Sequence, residues 1–476
     1  MGPRRVHHGG EVPDLQIRYA HAAKTCRTAR RYRSGMKNNA AAPTPVPAPA
    51  AIAGPAKNEV ATEEKAAQPL YKIPLLTPEV AHGVDIATGV QRLRVYQYVE
   101  RRCIKILAGW FLKTPAYETK YAFGYHIMDH SEHVSWIRAR LAEMRGGQPD
   151  ANVGTTLRNL MEEALHAPDT ESLLRGLYGV IKRELLAAYR KHLAEADSAA
   201  NAVEVRLLKR LIPELEAQIA WYEGLKIERA DCAWSARLKN MAASSELGQI
   251  ASQATAVQAG MSAPQSETPL TRFERPHTIH FDQRIRIGDL TSYDARRAMD
   301  AQSATVEQFK VFFNEVYAAA LLASILYDSF DDGYPWEYYS DFCHHFWDEV
   351  RHSEFGAIRL TELGSAPSVC NPRLFEASES LPVLHRILYL TLGLEVYFMP
   401  RKQPRVKEYA ANGDPRSQLF ADQDWSDETM HVRYGKKWAQ FLLEDDSRTF
   451  DDIMEETRQH LERVTGQPVK EISAPY

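Results

Sequence analysis

The sequence predicts an all-α protein with two tandem four-helix bundles, joined by a flexible linker and preceded by a disordered tail. Apolar residues recur with the period of an amphipathic helix over several long segments of the 476-residue chain. Between the two halves, Ala242 to Glu267 is rich in Ala, Ser, Gln and Gly, a composition that is typical of a linker. The helical segments on either side should therefore fold as two units.

The N-terminal stretch has the composition of a tail. It begins with Arg-rich sequence that contains few acids and passes into an Ala- and Pro-rich run from Ala41 to Ala50, which favours polyproline II over a packed core. It does not resemble a secretory signal, whereas a transit peptide and a true start at Met36 are both open alternatives. The expected boundaries are a tail at 1–70, a first bundle at 71–231, a linker at 232–275, a second bundle at 276–465 and a tail at 466–476.

Helix-period patterning predicts the individual helices. In the first half, the predicted helices are Val90 to Leu112, Tyr117 to Met144, Glu171 to Leu193 and Val203 to Tyr222. In the second half, the apolar runs Phe312 to Leu322 and Tyr389 to Met399 should be helical, and each contains one acid. The segment Phe273 to Phe281 is expected to be extended and to lead into the second bundle.

The composition is that of a soluble helical enzyme. A net charge of −4 gives no reason to expect nucleic-acid or acidic-membrane binding. The richest apolar stretch, Tyr317 to Tyr327, is shorter than the ~18 residues of a membrane span. The five cysteines form no C-x-x-C motif, so neither a disulfide framework nor a thiolate metal site is indicated, and a reducing cytoplasmic compartment fits best.

Two Glu-x-x-His motifs carry the chemistry of the second half. Glu349 and His352 form one, and Glu428 and His431 form the other. A spacing of three residues puts both side chains on one helix face, where they could share a metal. A lone Glu lies on each of the two apolar helices, and a buried acid there needs a charge partner. The successive Glu positions 315, 349, 395 and 428 are 34, 46 and 33 residues apart, which leaves room for a turn and a return at the same height.

This order resembles the ligand order of the ferritin-like di-iron carboxylate proteins, over residues 300–440. The resemblance implies that Glu315 and Glu395 are terminal ligands and that Glu349 and Glu428 bridge the two metals. It also implies that His352 and His431 each bind one of the metals. Such a set of carboxylates and imidazoles suits iron or manganese and argues against a structural zinc site.

Two members of the motif have alternative interpretations. His345 lies four positions before Glu349 on the same helical stripe. It is either a third His ligand, which resembles the di-iron arylamine N-oxygenases, or a group that hydrogen-bonds a ligand carboxylate. In those N-oxygenases the extra His accompanies the second motif, whereas here it accompanies the first. Glu428 follows Asp424 to Asp427, which could instead begin a helix with Ser426 as its N-cap.

The two halves also share a local pattern that indicates an internal duplication. His126 to His133 aligns with His345 to His352, with His, Asp and His at equal spacing. In this alignment His130 replaces Glu349, so the first bundle is expected to have a degenerate site. Its residues could form a partial metal site or a satisfied polar network in a scaffold: Glu100, His126, Asp129, His130, His133 and Glu184.

The predicted function is a non-haem di-iron oxidoreductase that holds two iron ions, uses O₂ as co-substrate and oxidises or oxygenates a small organic substrate, with N-oxygenation of an amine as one such reaction. The sequence contains no strand-linked G-x-G-x-x-G, so an external electron donor is expected; a homodimer is compatible with this function. Alternatives are a ferroxidase or iron-handling protein, a di-manganese protein and a non-catalytic helical scaffold.

Overall fold

The computed structural model describes residues 83–227, 233–252 and 272–466. This part of the chain is almost entirely helical, which confirms the all-α fold class, and its strands are limited to a short parallel pair. The predicted tail at 1–70 lies outside the described residues, as does nearly all of the tail at 466–476.

The first half matches the predicted helices closely. Its elements are α1 (Ile86–Lys113), α2 (Tyr117–Glu143), α3 (Thr155–Leu165), α4 (Thr170–Gly176), the π-helical segment π1 (Leu177–Ile181), α5 (Lys182–Glu195), α6 (Ala202–Gly224), α7 (Ala233–Ser244) and α8 (Glu246–Ala251). The predicted helix from Glu171 to Leu193 corresponds to α4, π1 and α5 in sequence. The π-helical turn has no signature in apolar periodicity, which therefore does not predict it.

The second half contains the strands and the remaining helices. Its elements are β1 (Arg286–Ile287), α9 (Tyr293–Arg297), α10 (Ala301–Asn314), α11 (Val316–Ser329), α12 (Trp336–Glu362), β2 (Val369–Cys370), α13 (Arg373–Glu376), α14 (Val383–Leu388), the π-helical segment π2 (Tyr389–Glu395), α15 (Val396–Ala411), α16 (Pro415–Leu442) and α17 (Phe450–Thr465). Strand β1 pairs in parallel with β2.

Side-chain caps fix where several long helices begin. Asp85 accepts a hydrogen bond from the backbone N–H of Thr88 at the start of α1, and Asp300 does the same for α10. Asp414 caps α16, which carries Pro415 in its first turn. Each carboxylate satisfies a backbone donor that has no partner inside its helix.

The prediction of a flexible linker at 232–275 is corrected by the structure. Helices α7 and α8 occupy much of this range, with Trp234 and Leu238 buried. A Cβ at Gly176 would lie 2.6 Å from the ring of Trp234, so α7 packs directly on α4. The average composition of this range is dominated by small and polar residues such as Ala and Ser, so it did not indicate that two large apolar side chains would be buried. Residues 253–271 lie outside the described part of the chain.

The segment around Phe273, predicted to be extended, forms neither a helix nor a strand and bends at His277 and Thr278. The ring of Phe273 lies 5.4 Å from Trp110 of α1 and 5.5 Å from Tyr327 of α11. The backbone N–H of His280 donates to the carbonyl of Leu112 at 2.8 Å. This segment is therefore packed against both halves.

The two halves share one continuous apolar core, so two separate bundles on a flexible linker are not what the structure shows. Helix α2 lies against α12, and the approach is close: a Cβ at Gly124 would lie 2.6 Å from Val350. Nearby, the hydroxyls of Tyr121 and Ser353 are hydrogen-bonded at 2.9 Å. The first half is thereby fixed to the helix that carries the first Glu-x-x-His motif.

One apolar stretch, Ala301–Ser329, has the length and hydropathy of a membrane span, and 83% of its apolar window is buried inside the protein. That burial is typical of the core helix of a soluble protein. The stretch is longer than the run from Tyr317 to Tyr327 that the sequence singled out, because it joins α10 to α11.

Candidate metal centre

Two long helices each present a stripe of three polar side chains. On α12 these are His345, Glu349 and His352, and on α16 they are Asp424, Glu428 and His431. Positions i, i+4 and i+7 fall on one face of a helix. All six residues are at least 94% buried, and the two stripes face each other.

Two further carboxylates come from irregular positions in the neighbouring helices. Glu315 links α10 to α11 with φ −65° and ψ −9°, away from the ideal helix. Glu395 is the last residue of π2, directly before α15. π-Helical turns are often found at functional sites. Here both irregularities carry a carboxylate into the space between α12 and α16.

The first group of ligand atoms lies around His431. Its Nδ1 is 3.3 Å from Oε1 of Glu349 and 3.7 Å from Oε1 of Glu395. Nε2 of His345 is 2.9 Å from the same Glu395 oxygen and 3.6 Å from the same Glu349 oxygen. The four ligand atoms lie within 4.8 Å of one another, so this group could hold one metal ion.

The second group lies around His352. Its Nδ1 is 3.4 Å from Oε2 of Glu315, 3.6 Å from Oδ1 of Asp424 and 3.8 Å from Oε2 of Glu349. Glu349 therefore faces the first group with Oε1 and the second with Oε2, as a bridging carboxylate would. Glu428 forms a further group with Glu349 and His352.

Each of the two imidazoles is oriented by a carboxylate from the opposite helix. Nε2 of His352 donates to Asp427 and Nε2 of His431 donates to Asp348, both at 3.2 Å. Arg351 donates to Asp348 at 2.6 Å and to Asp427 at 3.2 Å. These contacts leave Nδ1 of each imidazole pointing at the centre, which is how the outer partners of metal-binding histidines act.

Many polar atoms of the candidate ligand residues are buried and lack a hydrogen-bond partner. Such atoms are rare in folded proteins because each one loses its hydration without compensation. A bound metal ion would satisfy them, and the oxygen and nitrogen donors fit iron or manganese. The atoms are Glu315 Oε2, His352 Nδ1, Glu395 Oε2, Asp424 Oδ2, Glu428 Oε2 and His431 Nδ1.

The charges of the centre are strongly coupled. Burial alone would raise the pKa of Glu349, but its contacts with His345, His352 and His431 outweigh burial and hold that pKa well below its usual range. Burial likewise opposes the charged form of His431, yet Asp348 and Glu349 raise its pKa to about 10. Crowded carboxylates and imidazoles thus stabilise each other's charged forms.

A buried lysine adds a cation to the centre. Nζ of Lys402 donates to Asp424 at 2.6 Å and to Glu428 at 2.8 Å. Burial is the largest influence on Glu428 and raises its pKa to about 8, although Lys402 opposes this. Lys402 therefore supplies part of the positive charge that these buried carboxylates require.

The structure brings together all seven residues singled out from the sequence in the second half: Glu315, His345, Glu349, His352, Glu395, Glu428 and His431. The alternative in which Ser426 begins a helix is wrong, because α16 begins at Pro415. Sequence reasoning missed Asp424 and Lys402. It also missed Asp348 and Asp427, although an Asp directly before Glu in both motifs was a usable signal.

A second polar cluster lies in the first half around Glu100. Its carboxylate accepts hydrogen bonds from Nδ1 of His130, from Nδ1 of His133 at 3.0 Å and from the hydroxyl of Tyr189 at 2.6 Å. Nε2 of His133 also donates to Glu214 at 2.7 Å. Burial opposes a charge on His133, but Glu100 and Glu214 raise its pKa to about 9. An imidazolium between two carboxylates results.

Three residues predicted for this cluster lie elsewhere. Asp129 accepts from Gln218 at 2.9 Å, and His126 is hydrogen-bonded to Tyr178 at 2.7 Å. Glu184 is absent from the group that Glu100, His130 and His133 form among the described residues. It lies five positions before Tyr189, and these positions point about 140° apart around a helix. The cluster instead contains Tyr189, which donates to Glu100, and Glu214, which accepts from His133.

Comparison with known proteins identifies a family whose function is unknown. Residues 228–471 match the model of a family described as "Protein of unknown function (DUF455)". The match includes every residue of the candidate metal centre and none of the Glu100 cluster. No curated protein and no solved structure matches this chain.

Proposed function

Since the chain belongs to the DUF455 family, whose function is unknown, we propose one from the geometry of its centre: a ferritin-like di-metal carboxylate protein that uses two iron ions. The observation that carries this proposal is the set of buried ligand atoms without hydrogen-bond partners around Glu349. Ligand order and helix sources agree with the resemblance to ferritin-like di-iron proteins.

The proposed ligands form two sets that share Glu349. One ion would be held by His345, Glu349, Glu395 and His431, and the other by Glu315, Glu349, His352 and Asp424, with Glu428 as a second bridge. Compared with the six-residue pattern, each ion gains one ligand, His345 on one side and Asp424 on the other. Oxygen and imidazole donors would also accept manganese.

Two bound iron ions would supply the capacity to activate O₂ and to oxidise a small organic substrate. The residues of this chain would bind the ions, orient them and keep bulk water away, since the centre lies among side chains that are almost fully buried. A separate protein would deliver electrons. Buried free thiols at Cys103, Cys343 and Cys370 suit the reducing cytoplasm that we propose as its location.

One observation favours a different class of function. Lys402 already pairs with Asp424 and Glu428, as it would in a non-catalytic scaffold whose buried charges neutralise one another. Metal content separates the two classes, because a scaffold of this kind needs no ion. A ferroxidase or a di-manganese protein would share the ligands and differ in metal and substrate.

The test is the metal content of the full chain purified from iron-supplemented cells, with Glu349→Ala and His431→Ala alongside. We expect about two irons per chain in the parent and a loss in both variants, with helical circular dichroism retained. Glu337→Ala is the matched control, because Glu337 lies on the same helix and is exposed. A parent without metal would leave the scaffold as the function, whereas variants that bind as much iron as the parent would place the metal elsewhere, with the group of Glu100, His130 and His133 as the next candidate.

A further inference from the structure

A cavity connects the proposed metal centre to the surface. Its inner end is formed by carboxylates of the centre, among them Glu349, Glu395 and Glu428, which are at most 6% exposed. At the other end lie Arg401 and Arg405, which are partly exposed. The cavity therefore has an inner end made of proposed metal ligands and an outer end made of arginines.

Most of the other residues that line the cavity are apolar, and Gln308, Asn314 and Lys402 are the polar exceptions. Leu390 and Leu394 of π2, Phe398 of α15 and Val311 of α10 line it. The enclosed volume is about 90 Å³, several times the ~10–15 Å³ that one water needs by the same measure. Such a space accepts a slim aliphatic chain and excludes a bulky ring system, unless most of the molecule stays outside.

The arginines form a cluster of like charge. Among the described residues, neither Arg296 nor Arg405 has a carboxylate within the 4.0 Å of an ion pair; Arg296 donates to the backbone carbonyl of Thr291, and Arg405 lies over the ring of Phe312 at 5.7 Å. Arg296 is only 5% exposed. Burial, followed by repulsion from Arg405 and Arg401, lowers its pKa to about 10. Buried guanidinium groups that repel one another are stabilised by an anion bound between them.

We propose that this cavity binds an organic acid with one anionic head group and a slim, unbranched apolar chain. Arg296 and Arg405 hold the head group, and the chain lies along Leu390, Leu394 and Phe398 with its far end at the carboxylates of the centre. That the bound acid is a substrate rests on the proposed function, because the far end of its chain would lie next to the metal ions. The binding itself depends on the arginines and the apolar wall.

Isothermal titration calorimetry of the full chain, with and without iron, tests the assignment. Octanoate and octyl phosphate are the anionic probes, and octanol and octylammonium of equal chain length are the neutral and cationic comparisons. We expect the two anions to bind at least about tenfold more tightly than octanol, because a hydrogen bond to a charged group contributes about ten- to a hundredfold. Acetate should bind more weakly than octanoate because it lacks the chain. Equal binding of octanoate and octanol, or of octanoate and acetate, would overturn the proposal.

Substitutions locate the site. Arg405→Gln and Arg296→Gln should each weaken octanoate about tenfold or more; Arg405→Gln is the safer variant, because Arg405 is partly exposed. Arg448→Gln is the control, since Arg448 pairs with Asp446 and neither residue lines the cavity. Octanoate binding that survives Arg405→Gln and Arg296→Gln in folded protein contradicts the proposed site.

The same preparations separate this inference from the proposed function. Arginine-dependent octanoate binding in a chain that holds no iron would support the cavity assignment and reject the di-iron function. Two bound irons without preference for octanoate over octanol would support the di-iron function and reject the cavity assignment. Octyl phosphate binding tighter than octanoate would identify the head group as a phosphate.

Discussion

The two buried polar clusters of this chain are built from the same side-chain types and differ in how many of their buried atoms lack a hydrogen-bond partner: Nε2 of His130 in the Glu100 cluster, and several carboxylate and imidazole atoms in the proposed metal centre. Around Glu100, three donors point at one carboxylate, and His133 uses both ring nitrogens. In the proposed metal centre, Nδ1 of His352 and Nδ1 of His431 have no hydrogen-bond partner. Burial of His and Glu together therefore does not by itself indicate a metal centre, and the proposal of one rests on the larger number of converging atoms without partners around Glu349.

The third long helix of each half carries the clearest difference. In both halves it contains a π-helical segment, π1 or π2. Glu395, a proposed ligand, ends π2, whereas Lys182 directly follows π1 and donates to Gln218 at 2.6 Å. A buried ammonium beside the Glu100 cluster disfavours a second cation there. A π-helical segment in the third long helix of both halves is compatible with the internal duplication predicted from the sequence.

The largest expected effect is on stability in the first cluster. Glu100→Gln removes the carboxylate that neutralises His133 and accepts from Tyr189, and we expect a loss of about 3–5 kcal/mol in the free energy of unfolding, the cost of breaking a buried charge pair. Urea unfolding with and without iron measures it. Metal content should equal that of the parent.

Glu216→Gln is the control for this variant, because Glu216 lies on α6 near the cluster and pairs with an exposed arginine. Its free energy of unfolding should change by less than about 0.5 kcal/mol. A Glu100→Gln variant that keeps its stability but loses iron would reverse the roles assigned to the two clusters.

A smaller effect is expected from pH, through His133. Its pKa is raised to about 9 in the folded protein, against about 6.5 unfolded. The stabilisation is therefore fully present below pH ~6.5 and lost as pH rises through 9, by about 3 kcal/mol. Urea unfolding between pH 6 and 9.5 should show this decline in the parent. His133→Gln should show a flatter profile, and an identical decline in that variant would refute the assignment to His133.

The long helices and the proposed ligands could be predicted because both depend on local spacing. Apolar periodicity located α1, α2 and α6 in the first half and the runs Phe312 to Leu322 and Tyr389 to Met399 in the second, and two Glu-x-x-His motifs located α12 and α16. Lys402 could not be predicted in this way, because its partners Asp424 and Glu428 lie on the next helix. Only tertiary packing brings them together.

Two wrong expectations have local physical causes. The choice of Glu184 assumed an uninterrupted α-helix, whereas the wider turns of π1 precede α5 and change the register of its side chains. Tyr189, on the same helix as Glu184, donates to Glu100 instead. The linker prediction relied on average composition, whereas a single Trp234 packed against Gly176 suffices to anchor a short helix.

The smallest expected effect on stability belongs to the metal centre and completes the comparison. Oε2 of Glu315 is buried without a hydrogen-bond partner, so Glu315→Gln removes little that stabilises the metal-free fold, and we expect a change below about 1 kcal/mol in urea unfolding. Iron affinity should fall at least about tenfold, measured by competition with a chelator. Glu315→Gln thus loses metal and keeps stability, whereas Glu100→Gln loses stability and keeps metal. If both variants lost both properties, unsatisfied ligand atoms would not distinguish a metal centre from a polar network in this fold.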